Sequence, residues 1–296
     1  MVQVGLVRTA IFVPGNRPER VDKAMLSAAD AVILDLEDSV PPDEKPSTRA
    51  IVREKALQYQ HRRVFIRVNS LGSGFLDGDL DEIIVPGINC IGVPKVDEPE
   101  QMSALHTALL DLETKRGIPE GRVSVIPFIE SGRALENSYR ILSEEACRQR
   151  FFTAAFGAAD YTLDMGVEMT GDARELDFAR ARIGVACKAA GVARPLDTPY
   201  MIDIHDLDGL RADAVRAKQA GFQGKLCIHP KQLDVCNEVF SPSQVEIDRA
   251  RRAIEAFKEA ESQGRGAVQF EGMMVDYPVV RRFMAIVELS EQLERQ

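Results

Sequence analysis

Eight short apolar segments recur along this chain, and a stretch with helical periodicity follows each of them. The segments span residues 9–13, 31–36, 63–68, 90–93, 123–129, 151–156, 195–202 and 224–228. Their apolar residues run continuously instead of alternating, which is typical of strands covered on both faces. Eight such units in roughly 240 residues match the usual length of a (β/α)8 barrel. The repeat predicts an α/β fold, a TIM barrel with a C-terminal helical extension, with an open doubly wound sheet as the alternative.

Apolar residues spaced three and four apart predict the helices between these strands. The clearest stripe lies between the sixth and seventh segments and consists of Leu176, Ala179, Ile183, Ala186 and Ala190. Gly191 follows directly and predicts the end of this helix, because glycine adopts the left-handed conformation of a helix C-terminus without steric cost. Strand and helix therefore alternate up to about residue 240.

The chain is acidic, with 37 Lys and Arg against 46 Asp and Glu and a formal net charge of −9. This balance excludes a nucleic-acid binder, which needs a basic surface to displace counterions from phosphates. The chain contains no run of about 18 apolar residues, so no membrane-spanning helix is predicted. Arg8 interrupts the apolar N-terminus before a signal-like stretch develops. Five widely spaced Cys, none in a C-x-x-C pair, favour a reducing compartment. A cytoplasmic protein, or one imported with its presequence removed, is expected.

The pattern changes after residue 240. A charged helix is predicted from Gln244 to Gln263, followed by a break at Gly264 and Gly266 and a last segment at 272–276. No proline-rich linker separates this part from the repeats. We therefore expect a barrel domain at 1–240 and an appended extension at 241–296.

Polar residues follow the predicted strands at the barrel end where active sites form. They are Glu37 and Asp38 after strand two, Arg67 in strand three, Lys95 after strand four, Glu130 after strand five and Asp160 after strand six. Strands five and six are expected to be neighbours about 4.8 Å apart, so Glu130 and Asp160 can reach one ion. Two carboxylates with open positions for water and substrate are typical of Mg²⁺ sites.

Simpler roles are open for each group. An Asp or Glu at a strand-to-helix junction commonly caps the next helix. Arg67 either forms an ion pair with the acids of strand two or presents a fixed cation to an enolate or carboxylate oxygen. Spacing alone does not decide between these alternatives.

Motifs along nearly the whole chain resemble the citrate lyase beta subunit family within the HpcH/HpaI aldolase superfamily. They lie at 8–15 (RTAIFVPG), 29–40 (ADAVILDLEDSV), 65–69 (FIRVN), 94–95 (PK), 129–131 (IES), 157–161 (GAADY), 197–200 (DTPY), 221–225 (GFQGK), 228–230 (IHP) and 272–278 (GMMVDYP). Each motif is weak alone, and together they are highly specific. Ala159 departs from the pattern, since the citrate lyase subunits often carry Glu there, and this departure concerns the acyl or 2-oxo acid pocket and not the reaction type.

The resemblance implies a Mg²⁺-dependent carbon–carbon lyase that cleaves a 3-hydroxyacyl-CoA thioester of the citryl-, citramalyl- or malyl-CoA type into an acyl-CoA and a 2-oxo acid. By motif match, Glu130 and Asp160 would ligate the metal, and Arg67 and Glu130 would bind substrate. Arg67 and Asp276 would be catalytic, with Asp276 supplied by the extension of a neighbouring subunit in a homotrimer or dimer of trimers. Glu37, Asp38 and Lys95 are candidates for residues that contact these groups and hold them in position.

Other functions fit the same residues. The chain could be the lyase subunit of a multi-subunit citrate lyase acting on an acyl-carrier thioester, or a retro-aldolase for a free 4-hydroxy-2-oxo acid. A barrel retained for assembly or regulation is the non-enzyme alternative. The joint presence of Arg67, Glu130 and Asp160 argues against it.

Overall fold

The computed structural model describes residues 6–295 and contains a closed barrel of eight parallel strands. The strands are β1 (Thr9–Pro14), β2 (Ala31–Asp35), β3 (Val64–Arg67), β4 (Cys90–Val93), β5 (Ser124–Ile129), β6 (Ala155–Phe156), β7 (Leu196–Asp197) and β8 (Gly224–Cys227). Each strand pairs with the next along the chain, and β8 pairs with β1 to close the ring. The predicted TIM barrel is confirmed, and the alternative of an open doubly wound sheet is wrong.

Helices fill the connections between the strands, as the apolar stripes predicted. They are α1 (Pro18–Met25), α2 (Lys45–Gln58), α3 (Leu76–Ile83), α4 (Pro99–Lys115), α5 (Gly132–Leu142), α6 (Ala158–Met165), α7 (Asp177–Ala190), α8 (Leu207–Gln219) and α9 (Leu233–Phe240). Helix α7 buries the predicted stripe from Ala179 to Ala190, and Leu176 lies buried just before its start. The helix ends at Gly191, whose φ of +74° is the left-handed conformation expected there.

Two strands are much shorter than predicted, whereas the bounds of the others lie within one residue of the prediction. Strand β6 contains only the last two residues of the predicted segment 151–156, and β7 contains two residues of the segment 195–202. Beyond β7, Pro199 has no N–H to donate to a neighbouring strand. The Thr198 hydroxyl instead accepts a hydrogen bond from the Ala158 N–H at 3.1 Å. A side-chain hydrogen bond thus replaces the backbone hydrogen bonds between strands at a point where the apolar composition predicted that the strand continues.

The lengths of the helices and the state of the cysteines can be read directly from the described residues. Among the described residues, none of the helices combines the length and the apolar character that a membrane crossing requires. All five cysteines are buried free thiols. The prediction that Arg8 interrupts the apolar N-terminus before a signal-like stretch develops falls partly on residues 1–5, which lie outside the described residues.

The chain divides into two compact units, Met1–Asn237 and Glu238–Gln296. The second unit contains α10 (Gln244–Ser262), β9 (Ala267–Phe270), β10 (Met273–Asp276) and α11 (Tyr277–Glu294). Its own apolar core contains Ala250, Ala253, Phe257, Val275, Val280 and Phe283. Helix α10 confirms the predicted charged helix, and Ser243 and Glu246 form a capping box at its start.

The second unit also contains a β-hairpin that the sequence did not predict. Strands β9 and β10 pair antiparallel, with Met273 opposite Phe270. Glu271 and Gly272 form the two-residue connection and have φ values of +47° and +78°. Such loops require positive φ at both residues and usually carry Asn-Gly or Asp-Gly. The Glu-Gly pair lacks the stronger signal. The hairpin therefore adds two short strands to the helical extension that the sequence predicted.

A buried ion network lies between the strands and helices on the outer side of β7 and β8. Arg180 of α7 contacts Asp197 at 2.9 Å and Asp213 of α8 at 2.6 Å. Lys225 of β8 contacts the same two carboxylates, at 2.6 Å for Asp213. All four side chains are at most 4% exposed, and the two cations match the two anions. This balance keeps all four groups charged in the interior.

We predict that Lys225→Met lowers the free energy of unfolding by about 3–5 kcal/mol, because it leaves a buried carboxylate without compensation. The control is Lys115→Met, which removes an exposed lysine that pairs with Asp111 and is expected to change stability by less than about 0.5 kcal/mol. Urea unfolding measures both. Equal destabilisation by the two variants would contradict a structural role for the network.

Candidate active site

Three polar side chains extend the inward-facing rows of the barrel. Side chains alternate along a strand, so residues two apart point to the same side. Asp35, Arg67 and Glu130 each lie two residues beyond a member of the barrel's interior core, respectively Ile33, Phe65 and Phe128. The alternation therefore carries three charged groups to the carboxyl end of the barrel, above an apolar interior.

Arg67 is fixed by acids that follow or end β2. Its Nε and Nη2 donate to the two carboxylate oxygens of Asp35 at 2.6 and 2.8 Å. Its Nη1 lies 3.1 Å from Oε2 of Glu37 and 3.4 Å from Oδ2 of Asp38. Burial alone would raise the pKa of Asp35, but the charge and hydrogen bonds of Arg67 hold it below the ordinary value. The structure thus shows the ion-pair alternative for Arg67. The ion pairs hold this cation at the carboxyl end of the barrel, which we call the mouth.

Lys95 occupies the next position around the mouth. Its ammonium group pairs with Glu37 and lies 3.3 Å from Oδ1 of Asp38. Burial, with a smaller contribution from the negative charge of Asp38, raises the pKa of Glu37 to about 7 against the opposing cations Arg67 and Lys95. Glu37 and Asp38 therefore lie between the two cations and contact both Arg67 and Lys95.

Glu130 lies directly after β5 and is 4% exposed. Its Oε2 accepts a hydrogen bond from the backbone N–H of Lys95 at 2.9 Å. A Cβ on Gly157 would stand 2.4 Å from Oε1 of Glu130, so a glycine there leaves room for the carboxyl group. Burial, followed by the charge of Glu37 and a smaller contribution from Asp160, raises the pKa of Glu130 to about 8.

Asp160 is positioned by a helix. It lies in the first turn of α6, which begins immediately after β6, and the side chain is partly exposed. Gly157 occupies the N-cap position, so Asp160 does not serve as the cap of α6. Ile129 pairs with Phe156 across β5 and β6, confirming that these strands are neighbours. Glu130 and Asp160 are accordingly close enough for one negative charge to affect the other.

The residues of the mouth fit a divalent cation. The pKa of Glu130 is well above its ordinary value, because this buried carboxyl group lies beside other acids whose charges disfavour its ionisation. Oε2 of Glu37 is buried and has no hydrogen-bond partner beyond its ion pair with Arg67. Within residues 6–295, no group of three or more His, Cys, Asp or Glu side chains is placed to hold a metal ion. A two-carboxylate set suits Mg²⁺, which keeps water or substrate oxygens in its remaining positions.

Other predicted or adjacent residues have clear structural positions. Asp276 lies in the second unit, where its Oδ1 accepts a hydrogen bond from the Val279 N–H at 3.1 Å and caps α11. Asp35 was not singled out from the sequence, although its register opposite Arg67 makes it the main partner of that side chain. Lys45 was also missed as a site residue: its ammonium donates to the Leu36 and Glu37 carbonyls at 2.9 and 2.6 Å and holds the loop after β2.

The raised pKa of Glu130 predicts a pH dependence of stability. The folded metal-free protein holds this proton up to about pH 8, whereas an unfolded Glu releases it near pH 4.3. Unfolding therefore becomes easier as pH rises through that window. Glu130→Gln removes this dependence and keeps an oxygen for the Lys95 N–H. In EDTA, the stability of the variant relative to wild type should increase by about 3 kcal/mol between pH 5.5 and 8.5.

Urea unfolding at the two pH values measures this difference. The control is Glu120→Gln at an exposed position, whose effect should be the same at both pH values. A Glu130→Gln difference that does not change with pH would contradict the electrostatic description of the site.

Comparison with known proteins identifies the family. Residues 8–230 match the family model HpcH/HpaI aldolase/citrate lyase. The chain is similar to citrate lyase subunit beta from Leuconostoc mesenteroides subsp. cremoris, with 35% identity over 96% of this chain and 93% of the relative. The L-malyl-CoA/beta-methylmalyl-CoA lyase of Rhodobacter capsulatus is 32% identical over 97% and 95% of the two chains. The crystal structure of protein CitE from Mycobacterium tuberculosis in complex with magnesium, acetoacetate and coenzyme A is 29% identical, with a TM-score of 0.79 and coverage of 97% and 98%.

The family match spans the barrel from β1 to β8 and contains Arg67, Glu130 and Asp160. The relatives extend the similarity over nearly the full chain. The resemblance read from the motifs is confirmed: this chain belongs to the HpcH/HpaI aldolase/citrate lyase family and is a carbon–carbon lyase.

Proposed function

We propose that this protein is a Mg²⁺-dependent lyase that cleaves a 3-hydroxyacyl-CoA thioester of the citryl-, citramalyl- or malyl-CoA type. The products would be an acyl-CoA and a 2-oxo acid such as oxaloacetate, pyruvate or glyoxylate. The observation that carries the proposal is the uncompensated buried carboxyl of Glu130, which lies beside Asp160 and the fixed cation Arg67 in one barrel mouth. The magnesium and coenzyme A bound to the similar CitE protein support it.

Glu130 and Asp160 are the proposed Mg²⁺ ligands. Bound Mg²⁺ would act as a Lewis acid toward oxygens of the 2-oxo acid and stabilise the alkoxide-to-carbonyl change during bond cleavage. Glu130 must lose its proton to bind the metal, and its backbone partner Lys95 then orients the carboxylate. The buried setting of Glu130 excludes competing water and strengthens these interactions.

Arg67 is the proposed group for substrate charge. Asp35 occupies Nε and Nη2, which leaves Nη1 as the donor with the longer contacts. Asp38 is the more exposed of the two acids at Nη1, with 55% of its side chain accessible, whereas Glu37 is 7% accessible. We infer that a thioester enolate or carboxylate oxygen replaces Asp38 at Nη1, where a fixed guanidinium stabilises the developing charge.

Asp276 is the proposed proton-transfer group for the thioester carbon, acting in the site of a neighbouring subunit of a homotrimer or dimer of trimers. One of its oxygens caps α11 in its own chain, which holds the carboxylate in a defined orientation. The exposed side chains of Met274 and Tyr277, 65% and 47% accessible, lie on either side of it in sequence and suit a covered surface.

A second candidate keeps the same chemistry and changes the carrier. The 35% identity to a citrate lyase subunit beta favours a lyase subunit that acts on an acyl-carrier thioester within a larger complex. Activity on free CoA thioesters by the isolated protein would separate the first proposal from this one. Cleavage of free 4-hydroxy-2-oxo acids alone would instead indicate a retro-aldolase.

We predict Mg²⁺-dependent release of a 2-oxo acid from at least one of citryl-, citramalyl- and malyl-CoA by the isolated protein. Glu130→Ala should lower kcat/KM by at least about 100-fold, because the metal loses its buried ligand. Glu120→Ala removes an exposed glutamate and serves as the control. A coupled assay for the 2-oxo acid measures turnover, with free hydroxy-oxo acids as a parallel substrate set. No metal-dependent turnover on any thioester, together with no Mg²⁺ binding, would refute the lyase proposal.

Asp276→Asn should reduce kcat by at least about 100-fold while Mg²⁺ affinity and the oligomeric state stay unchanged, since Asn cannot transfer the proton. Asn retains an oxygen for the Val279 N–H, so α11 keeps its cap. Steady-state kinetics, calorimetric Mg²⁺ titration and light scattering measure the three quantities. Full turnover by a variant with an intact assembly would eliminate Asp276 from the mechanism.

A further inference from the structure

Lys95 has an unusual backbone conformation for its residue type. Its φ is +54°, in the left-handed region that glycine adopts freely and other residues enter at a steric cost. Within the described part of the first unit, Ala173 is the only other residue besides glycines with positive φ. Such conformations persist where the surroundings impose them, and they cluster at functional sites. Lys95 lies in the barrel mouth, beside Glu130.

Two sets of contacts hold this conformation. The neighbours Pro94 and Val96 are buried, which anchors the chain on both sides. The ammonium group of Lys95 reaches across the mouth to Glu37 and lies 3.3 Å from Asp38. The side chain is therefore tethered at its far end by acids that belong to the loop after β2.

The same conformation directs the backbone N–H of Lys95 at Oε2 of Glu130, with an N–O distance of 2.9 Å. A backbone donor cannot rotate away as a side chain can, so it holds Oε2 of Glu130 in place as long as the local backbone keeps its conformation. Gly157 leaves space on the Oε1 side. The orientation of Glu130 thus depends on a backbone angle in a neighbouring loop.

We propose that Lys95 is a positioning residue for Glu130: its ammonium tether to Glu37 and Asp38 holds residue 95 in the left-handed conformation that aims its N–H at the Glu130 carboxylate. The proposal rests on the proposed function for the role of Glu130 as metal ligand. It also links the acids around Arg67 to the metal site through one residue. A glycine would adopt the same angle without a tether, whereas an alanine would adopt it only at a steric cost and without the tether that offsets this cost in Lys95.

The test compares Lys95→Gly with Lys95→Ala, both of which lack the ammonium group and so change the electrostatics of cation binding equally. Calorimetric titration of metal-free protein with Mg²⁺ should give a Kd at least about fivefold weaker for the alanine variant than for the glycine variant. Lys95→Arg keeps a cation that can pair with Glu37 and Asp38, and its Kd for Mg²⁺ should be within about twofold of the wild-type value. Ala173→Gly, which relaxes the other left-handed residue, should leave the Kd unchanged.

A second readout needs no metal. Hydrogen exchange of the residue-95 amide, followed by NMR of labelled protein, should be slow in wild type and in the glycine variant, and at least about tenfold faster in the alanine variant. Equal Mg²⁺ affinities or equal exchange rates for the two variants would overturn the proposal. If Glu130→Gln binds Mg²⁺ as well as wild type, the proposed metal ligand is wrong, whereas the exchange rates still decide the conformational part.

Discussion

The buried pairing of Arg67 with Asp35 is the interaction on which the barrel mouth depends. The two residues are register partners on adjacent strands, and both face inward. A guanidinium bound at two nitrogens by one carboxylate has little freedom to reorient. Arg67 is therefore held in a fixed position, where Glu37 and Asp38 contact it, and Lys95 pairs with these two acids. The cost of burying these charges is offset because nearly every one has a partner.

The two buried charge clusters of the barrel differ in their balance of cations and carboxylates, and this difference indicates a structural role for one and a functional role for the other. On the outer side, Arg180 and Lys225 balance Asp197 and Asp213 in a closed set. Burial would raise the pKa of Asp213, but the two cations hold it below its ordinary value. At the mouth the carboxyl groups outnumber the cations, and the pKa of Glu130 is raised instead. An unbalanced buried acid is costly without a further cation, which favours a metal-binding role.

Strand-end positions explain why much of the site was predictable. A parallel barrel brings the carboxyl ends of all strands to one face, so the residue after an apolar run is a candidate wherever the run lies in the chain. Arg67, Glu130 and Lys95 were found in this way. Asp35 was not singled out, because its importance comes from the register between β2 and β3. The left-handed backbone of Lys95 was equally hidden, since a lysine gives no local signal for positive φ.

Periodicity and composition by themselves determined the eight strand and helix units, the apolar interior and the acidic character of the chain, because these depend on residue spacing and type. They misjudged the lengths of β6 and β7 and missed the hairpin of the second unit, where side-chain hydrogen bonds and a Glu-Gly turn replaced the expected signals. Only the tertiary structure decided which acid holds Arg67, how Lys95 reaches Glu130 and how strongly that carboxyl retains its proton. These properties arise from distance and burial among residues far apart in sequence, which no local pattern encodes.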